Sequence, residues 1–214
     1  MTETFTLSDT DAVSDLGTFV GRAKRVDPDA VRFLASGGVL AVYVPVLYAR
    51  GILDQSATIL GLRTYAENSD ATFDRTVNPV SVSERIARLE GTGSARLSMP
   101  PSDVQAPWTG IAPPRSGWAQ IASIDVDVLS GAARAGVERI SSELPRDAGD
   151  PVVQRIRASV WGEDIAQVPE LPAGAAFAAD SLGFISEPET ARVLQSGNWL
   201  RLSLRRGHVL VRRR

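Results

Sequence analysis

Asp27-Pro28-Asp29-Ala30-Val31-Arg32-Phe33-Leu34-Ala35-Ser36-Gly37-Gly38-Val39-Leu40-Ala41-Val42 aligns without gaps on Glu187-Pro188-Glu189-Thr190-Ala191-Arg192-Val193-Leu194-Gln195-Ser196-Gly197-Asn198-Trp199-Leu200-Arg201-Leu202. An acid and a proline open each stretch, an arginine and a leucine recur at matching places, and Ser-Gly comes just before a run of strand formers. Proline suits the first turn of a helix and glycine its end, so each copy reads as a short helix followed at once by a strand. This helix–strand unit, used twice (27–42 and 187–202), points to an α+β protein. Two origins stay open: an ancient duplication, or a helix-to-strand connection that is favoured locally and used twice.

Working outward, Ser8 with Asp11 resembles a capping box ahead of Ala12, Val13, Leu16, Phe19, Val20 and Ala23, which follow at helical spacing. Val39 to Leu47 is nearly all apolar, as expected of a strand covered on both faces, and Thr58 to Tyr65 completes a hairpin with a long connection. Ser81-Val82-Ser83-Glu84 caps a short helix. Strands are expected at Ser94 to Met99 and Trp118 to Ser123, and a longer helix from Asp125 to Leu144 with Val128, Leu129, Ala132, Ala133, Val137 and Ile140 inward. Helices are also expected from Asp150-Pro151 to Gly162 and from Pro172 to Leu182. In the second copy, Ser186 with Glu189 forms the capping box. The chain ends in a hairpin across Arg206-Gly207 that pairs Leu204 with Val209 and Leu202 with Val211, and sets Arg201 opposite Arg212.

The predicted architecture is α+β, a mixed or antiparallel sheet flanked by helices, built mainly from residues 39–65, 94–99 and 199–213. Residues 1–214 read as a single domain; the proline-rich stretch near 100–117 is the boundary if there are two.

All but one of the 23 basic residues are arginine, the exception being Lys24. Beside abundant Ala, Gly, Val and Pro, this usage fits a GC-rich genome better than selection for bidentate arginine chemistry. The net charge of −2 hides an asymmetry. Residues 201–214 carry six arginines and no acid, which leaves 17 basic and 25 acidic residues in 1–200, a net −8. Cysteine is absent, which removes disulfides, thiolate catalysis and zinc–sulfur sites. No apolar run approaches the length of a membrane helix, and Met1 to Ser8 lacks a secretory pattern, so a cytoplasmic location is expected.

Two segments could carry recognition. Pro107 to Trp118 concentrates Trp108, Pro113, Pro114, Arg115 and Trp118 in a stiff loop that could stack a planar ligand or hold a carboxylate or phosphate. The competing reading packs both indoles inward and places Arg115 in a structural ion pair. The second segment is the final hairpin, whose one face carries Trp199, Arg201, Arg205, His208 and Arg212 and could contact nucleic acid. The acidic body argues against a general nucleic-acid binder, and the face could equally pack on that body.

His208 is the only histidine, so no histidine-based metal cluster and no His-paired dyad are expected. Asp70 with Asp74 and Asp125 with Asp127 leave room for a small enzyme that uses carboxylates. GxxxxGK[ST], GxGxxG and GxSxG are all missing. No cofactor and no metal are expected, and no residue qualifies as catalytic. The leading expectation is a non-enzymatic binding or regulatory protein whose partner is a protein, a peptide or a small anionic ligand. Nucleic-acid contact is the alternative, and no membrane partner is expected.

Val39-Leu40-Ala41-Val42, Trp108-x-Gly110-x-x-Pro113-Pro114-Arg115-x-Gly117-Trp118, Leu182-Gly183-Phe184 and Trp199-Leu200-Arg201-Leu202 together resemble a family of actinobacterial hypothetical proteins of about this length. The resemblance covers nearly the whole chain. It implies a bacterial cytosolic setting, marks the loop around Arg115 as the most recognisable segment, and transfers no mechanism.

Overall fold

The residue before a proline avoids helical geometry, and Asp27, just ahead of Pro28, ends a helix rather than opening one. In the computed structural model, which describes residues 3–51, 54–145, 147–186 and 188–213, Asp27 takes up extended geometry at the end of the first helix. Its carboxylate accepts the backbone N–H groups of Asp29 and Ala30, at 2.9 and 3.2 Å, and turns the chain into a strand. The stretch Val31-Arg32-Phe33-Leu34-Ala35-Ser36 then alternates buried and half-buried residues, the signature of a strand with one covered face. The expected helix in 27–37 is therefore a β-strand, and Gly37-Gly38 is a hairpin turn with both residues at positive φ, 61° and 74°. The second copy is corrected in the same way: 190–196 is a strand and Gly197, at φ 57°, opens its turn. Glu187, the first residue of that copy, lies outside the described residues.

The chain forms two compact units, Met1–Pro45 with Leu62–Ile111, and Val46–Gly61 with Ala112–Arg214. The first contains β1 (Thr4–Thr6), α1 (Thr10–Val26), β2 (Val31–Ser36), most of β3 (Val39–Leu47), the end of β4 (Thr58–Ala66), β5 (Phe73–Val77), α2 (Pro79–Ala87) and β6 (Arg96–Ser98). Its strand order is β5-β2-β3-β4. The strand expected at 94–99 exists as β6, but it pairs with β1 in a separate two-stranded sheet. Two caps shift from their expected places. Asp9, not Ser8, caps α1 by accepting the Ala12 N–H at 2.7 Å. Asn78 caps α2 through the Val80 N–H, with Pro79 at the first turn, so Ser81 lies inside the helix.

The second unit contains β7 (Ala119–Asp125), α3 (Val126–Glu143), α4 (Asp150–Gly162), β8 (Asp164–Ile165), β9 (Val168–Pro172), α5 (Ala173–Ser181), β10 (Thr190–Ser196), β11 (Trp199–Leu204) and β12 (Gly207–Arg212). Its large-sheet order is β12-β11-β10-β7. In α3, Leu129 and Ala133 are buried as expected, while Val137 is exposed and Gly136 takes the inward place. A Cβ at Gly136 would lie 2.1 Å from the Trp161 ring, so only glycine lets that indole lie against the helix.

The repeat survives its correction. In β2–β3 the pairs are Ser36↔Val39, Leu34↔Ala41 and Phe33↔Val42. In β10–β11 they are Ser196↔Trp199, Leu194↔Arg201 and Val193↔Leu202, each 160 positions later. Both hairpins follow a helix, α1 or α5, and continue into a neighbouring strand, β4 or β12. Both first strands also pair on their other side with a strand that runs into a helix, β5 into α2 and β7 into α3. The two units thus share one four-strand, two-helix plan, with its halves in opposite chain order.

Candidate functional site

Residues directly opposite one another in an antiparallel sheet share a face. In the second unit, Val193, Leu202 and Val209 share one face, and all three are fully buried. That face lies towards α5, because a Cβ at Gly207 would lie 2.4 Å from the ring of Phe184, just beyond that helix. The same contact sets the hairpin register. Gly207 is needed within the strand, so the turn falls at Arg205-Arg206 and Leu204 pairs with Gly207, Leu202 with Val209 and Leu200 with Val211. The expected register is corrected by this shift: Arg201 faces Leu210, and Arg212 faces Trp199.

The opposite face carries three rows across β10, β11 and β12: Arg192–Ser203–His208, Leu194–Arg201–Leu210 and Ser196–Trp199–Arg212. Arg192, Arg201 and Arg212 run diagonally across it. None of the three has an ion pair with an acid among the described residues. The Arg201 guanidinium lies over the Trp118 ring, 4.8 Å from its centroid, and its Nε is buried without an acceptor. The Trp118 indole N–H donates to the Pro114 carbonyl at 3.1 Å, and the Ser196 hydroxyl donates to the Ser116 carbonyl at 3.4 Å, so the loop is tied to the sheet. Burial, with Arg192 beside it, holds the Arg201 guanidinium below its usual pKa.

His208 Nδ1 lies 3.1 Å from the hydroxyl of buried Ser203. Burial first, then the charges of Arg201 and Arg192, push its pKa down to about 4. It is neutral near pH 7 and a weak proton acceptor, which suits a hydrogen-bonding role better than general-base work. What the face can do chemically is hold an anion.

The structure regroups the two sets of candidates. Trp118 and Arg201, placed in separate segments by the sequence, are in contact. Pro113 and Pro114 are half-buried and Arg115 is exposed, all in the second unit. Trp108 belongs to the first unit, where it is buried in a 3-10 turn, Pro107–Gly110, with no hydrogen-bond partner for its indole N–H. Trp199 is 4% exposed, which closes its indole to a stacking base. Arg205 is exposed, and its backbone N–H donates to the Glu189 carboxylate. Of the paired carboxylates, Asp74 is bound to Arg32 and Asp125 accepts the Thr190 hydroxyl at 2.7 Å. Sequence reasoning missed Arg192. The repeat itself was the available signal, since it sets Arg192 in register with Arg32.

Two hollows of about 550 and 510 Å³ lie elsewhere, one against α1 and α2 and one against α3, and neither includes the arginine face. Among the described residues no group of three His, Cys, Asp or Glu is arranged to hold a metal ion. No helix among them is long and apolar enough to cross a membrane.

This arrangement of sheets and helices is the fold of DNA polymerase sliding clamps. The chain is similar to the DNA polymerase sliding clamp from Caulobacter crescentus, with 12% identity, a TM-score of 0.53, and coverage of 99% of this chain and 65% of that one. It is similar to DNA polymerase III subunit beta from Borrelia burgdorferi, solved in complex with a natural product, at 9% identity and TM-score 0.55, covering 98% and 64%. For the sliding clamp from Bacillus subtilis the values are 10% and 0.52, with 100% and 65% covered. The chain thus spans about 65% of the length of the solved structures it matches. No curated protein matches it. Residues 1–110 match the family described as domain of unknown function DUF8010, and the chain belongs to that family. Residues 113–214 match domain of unknown function DUF8185.

Proposed function

We propose that this protein is a non-enzymatic binding or regulatory protein that engages a polypeptide partner through the loop Pro113-Pro114-Arg115 to Trp118 and the arginine face beside it. The single observation that carries this reading is the Trp118–Arg201 stack, which joins a proline-stiffened loop to a face of arginines without ion pairs among the described residues. A fold seen in proteins named sliding clamps supports it, because a clamp is named for holding. In this reading residues 1–214 act as one binding body in a bacterial, actinobacterial cytoplasm. Nucleic-acid contact is the weaker reading, because Trp199 is closed to bases and the body outside 201–214 is acidic.

A photo-crosslinking residue placed at position 115 tests this in cells, with position 137, an exposed site on α3, as control. The expected result is one discrete polypeptide adduct at 115, lost when Trp118→Ala is added. Equal adducts at both positions, or none at 115, would reject the proposal.

A further inference from the structure

The two copies of the repeat supply an internal reference. Arg32 and Arg192 occupy the same position, on the same face, in the same register. In the first unit Arg32 meets its acid inside the protein: Asp74 on β5 accepts from its Nε and Nη2 at 2.7 and 2.6 Å, and the Thr109 carbonyl accepts from Nη1 at 3.1 Å. Such a two-point arrangement is the strong, planar form of the arginine–carboxylate pair. Asp74 lies opposite Leu34 on the neighbouring strand.

The second unit keeps the arginine and loses the acid. The residue opposite Leu194 on β7 is Gln120, whose amide is turned to the Ser123 hydroxyl at 3.0 Å. It also gains a cation, because the position of Ala41 is taken by Arg201. Arg192 and Arg201 are diagonal neighbours, their backbones roughly 7 to 8 Å apart. Two like charges at that spacing, one with a buried Nε that has no acceptor, are unfavourable until an acceptor arrives.

We infer that this face is a carboxylate-binding site for an acidic segment of a partner protein, with Arg192 and Arg201 as its ligands. The partner's carboxylate takes the part that Asp74 plays within the first unit. Trp118 holds the Arg201 side chain in place, with the guanidinium stacked over its ring. A short acidic segment can meet Arg192 and Arg201 alone, whereas a longer nucleic-acid strand would also meet the acidic body outside residues 201–214.

The test uses the full chain labelled with nitrogen-15 and follows the arginine Nε–Hε signals, Arg201 being assigned by its loss in Arg201→Lys. The probes are a capped oligoglutamate, its glutamine counterpart and a single-stranded oligonucleotide. Oligoglutamate is expected to shift the Arg201 signal and the Trp118 indole signal, and the glutamine peptide to shift neither. Arg201→Gln should weaken binding about tenfold or more, a loss of about 1.4 kcal/mol or more. Gln120→Glu, which restores the internal acid at an exposed position, should do the same without removing any ligand.

An unmoved Arg201 signal, unchanged affinity in Gln120→Glu, or tighter binding of the oligonucleotide than of oligoglutamate would overturn the inference. The inference rests on the polypeptide-partner reading, yet the two fail separately. A discrete adduct at position 115 with an unmoved Arg201 signal removes the carboxylate site alone. A shifted Arg201 signal without an adduct removes the loop as the docking element and keeps the carboxylate site.

Discussion

The first unit neutralises its own arginine, and the second leaves the matching arginine to something else. Arg32 and Arg192 share a place in the repeat, but β5 offers Asp74 where β7 offers Gln120. The outer strands differ in a second way. β5 is tied to the segment beyond α2, with Val104 donating its N–H to the Thr76 carbonyl at 2.8 Å and Arg75 paired to Asp103, and Arg75 also pairs with Glu3, just before β1. On β7 the residues Ala119, Gln120, Ile121 and Ser123 are exposed, and the pairing with β10 slips at Val193/Leu194. One plan, with its acid kept or lost, yields a closed face in one unit and a receptive one in the other.

The comparison is broken most strongly through the cores. Leu202 occupies the position of Val42, and both are fully buried. Leu202→Ala is expected to cost about 2 to 5 kcal/mol, and Val42→Ala roughly two thirds of that, since it deletes two carbons rather than three. Urea unfolding followed by circular dichroism measures both. A larger loss at Val42 would mean that the two hairpins are packed unequally. Next in size is the titration of His208, a group the first unit lacks. Its pKa of about 4 in the folded state lies below the ordinary value near 6.5, so the unfolded chain takes up the proton first. The stability this confers is complete above about pH 6.5 and is lost as pH falls towards 4, by about 1 kcal/mol after allowance for partial exposure. His208→Gln should flatten that part of the stability profile; an unchanged profile would show that His208 titrates normally.

The smallest effect sharpens the charge contrast. Asp74→Asn should destabilise by about 0.5 to 1 kcal/mol, because the Arg32 side chain is only 14% exposed while its acid is 48% exposed. Arg192→Gln should be neutral or slightly stabilising, since it relieves Arg201 of a like charge. Thermal melts of the two variants decide it. A destabilised Arg192→Gln would reveal that Arg192 has a stabilising partner in the fold.

Much of the fold could be read from local pattern. The apolar run 39–47, the strand at 58–66, the helix of 126–143 and the alanine-rich helix of 173–181 are carried by periodicity, and each stands where it was expected. The acid-proline segments were misread because Asp-Pro serves both to start and to stop a helix. The alternation Val31, Phe33, Ala35 was the better guide, and it was outweighed by punctuation. β6 could not be assigned to its own small sheet because a three-residue strand carries no record of its partner. For the site, the arginines and Trp118 were identifiable as residues, but their meeting was not. Arg201 and Trp118 are brought together by the pairing of β7 with β10, a contact between distant stretches that periodicity cannot express. The Asp74–Gln120 difference became visible only once register placed both opposite equivalent leucines.

The opposite chain order of the two units has a consequence for how each is made. In the first, the hairpin of β2 and β3 has left the ribosome before β5 appears, so β5 meets a finished template. In the second, β7 appears first and its partner follows late, Asp125 pairing with Thr190. At about 5 to 20 residues per second, that wait is roughly 3 to 13 seconds. During it Ala119 to Ile124, a stretch without charge, has no partner strand. The receptive unit is therefore also the one whose nascent chain most needs protection from pairing elsewhere.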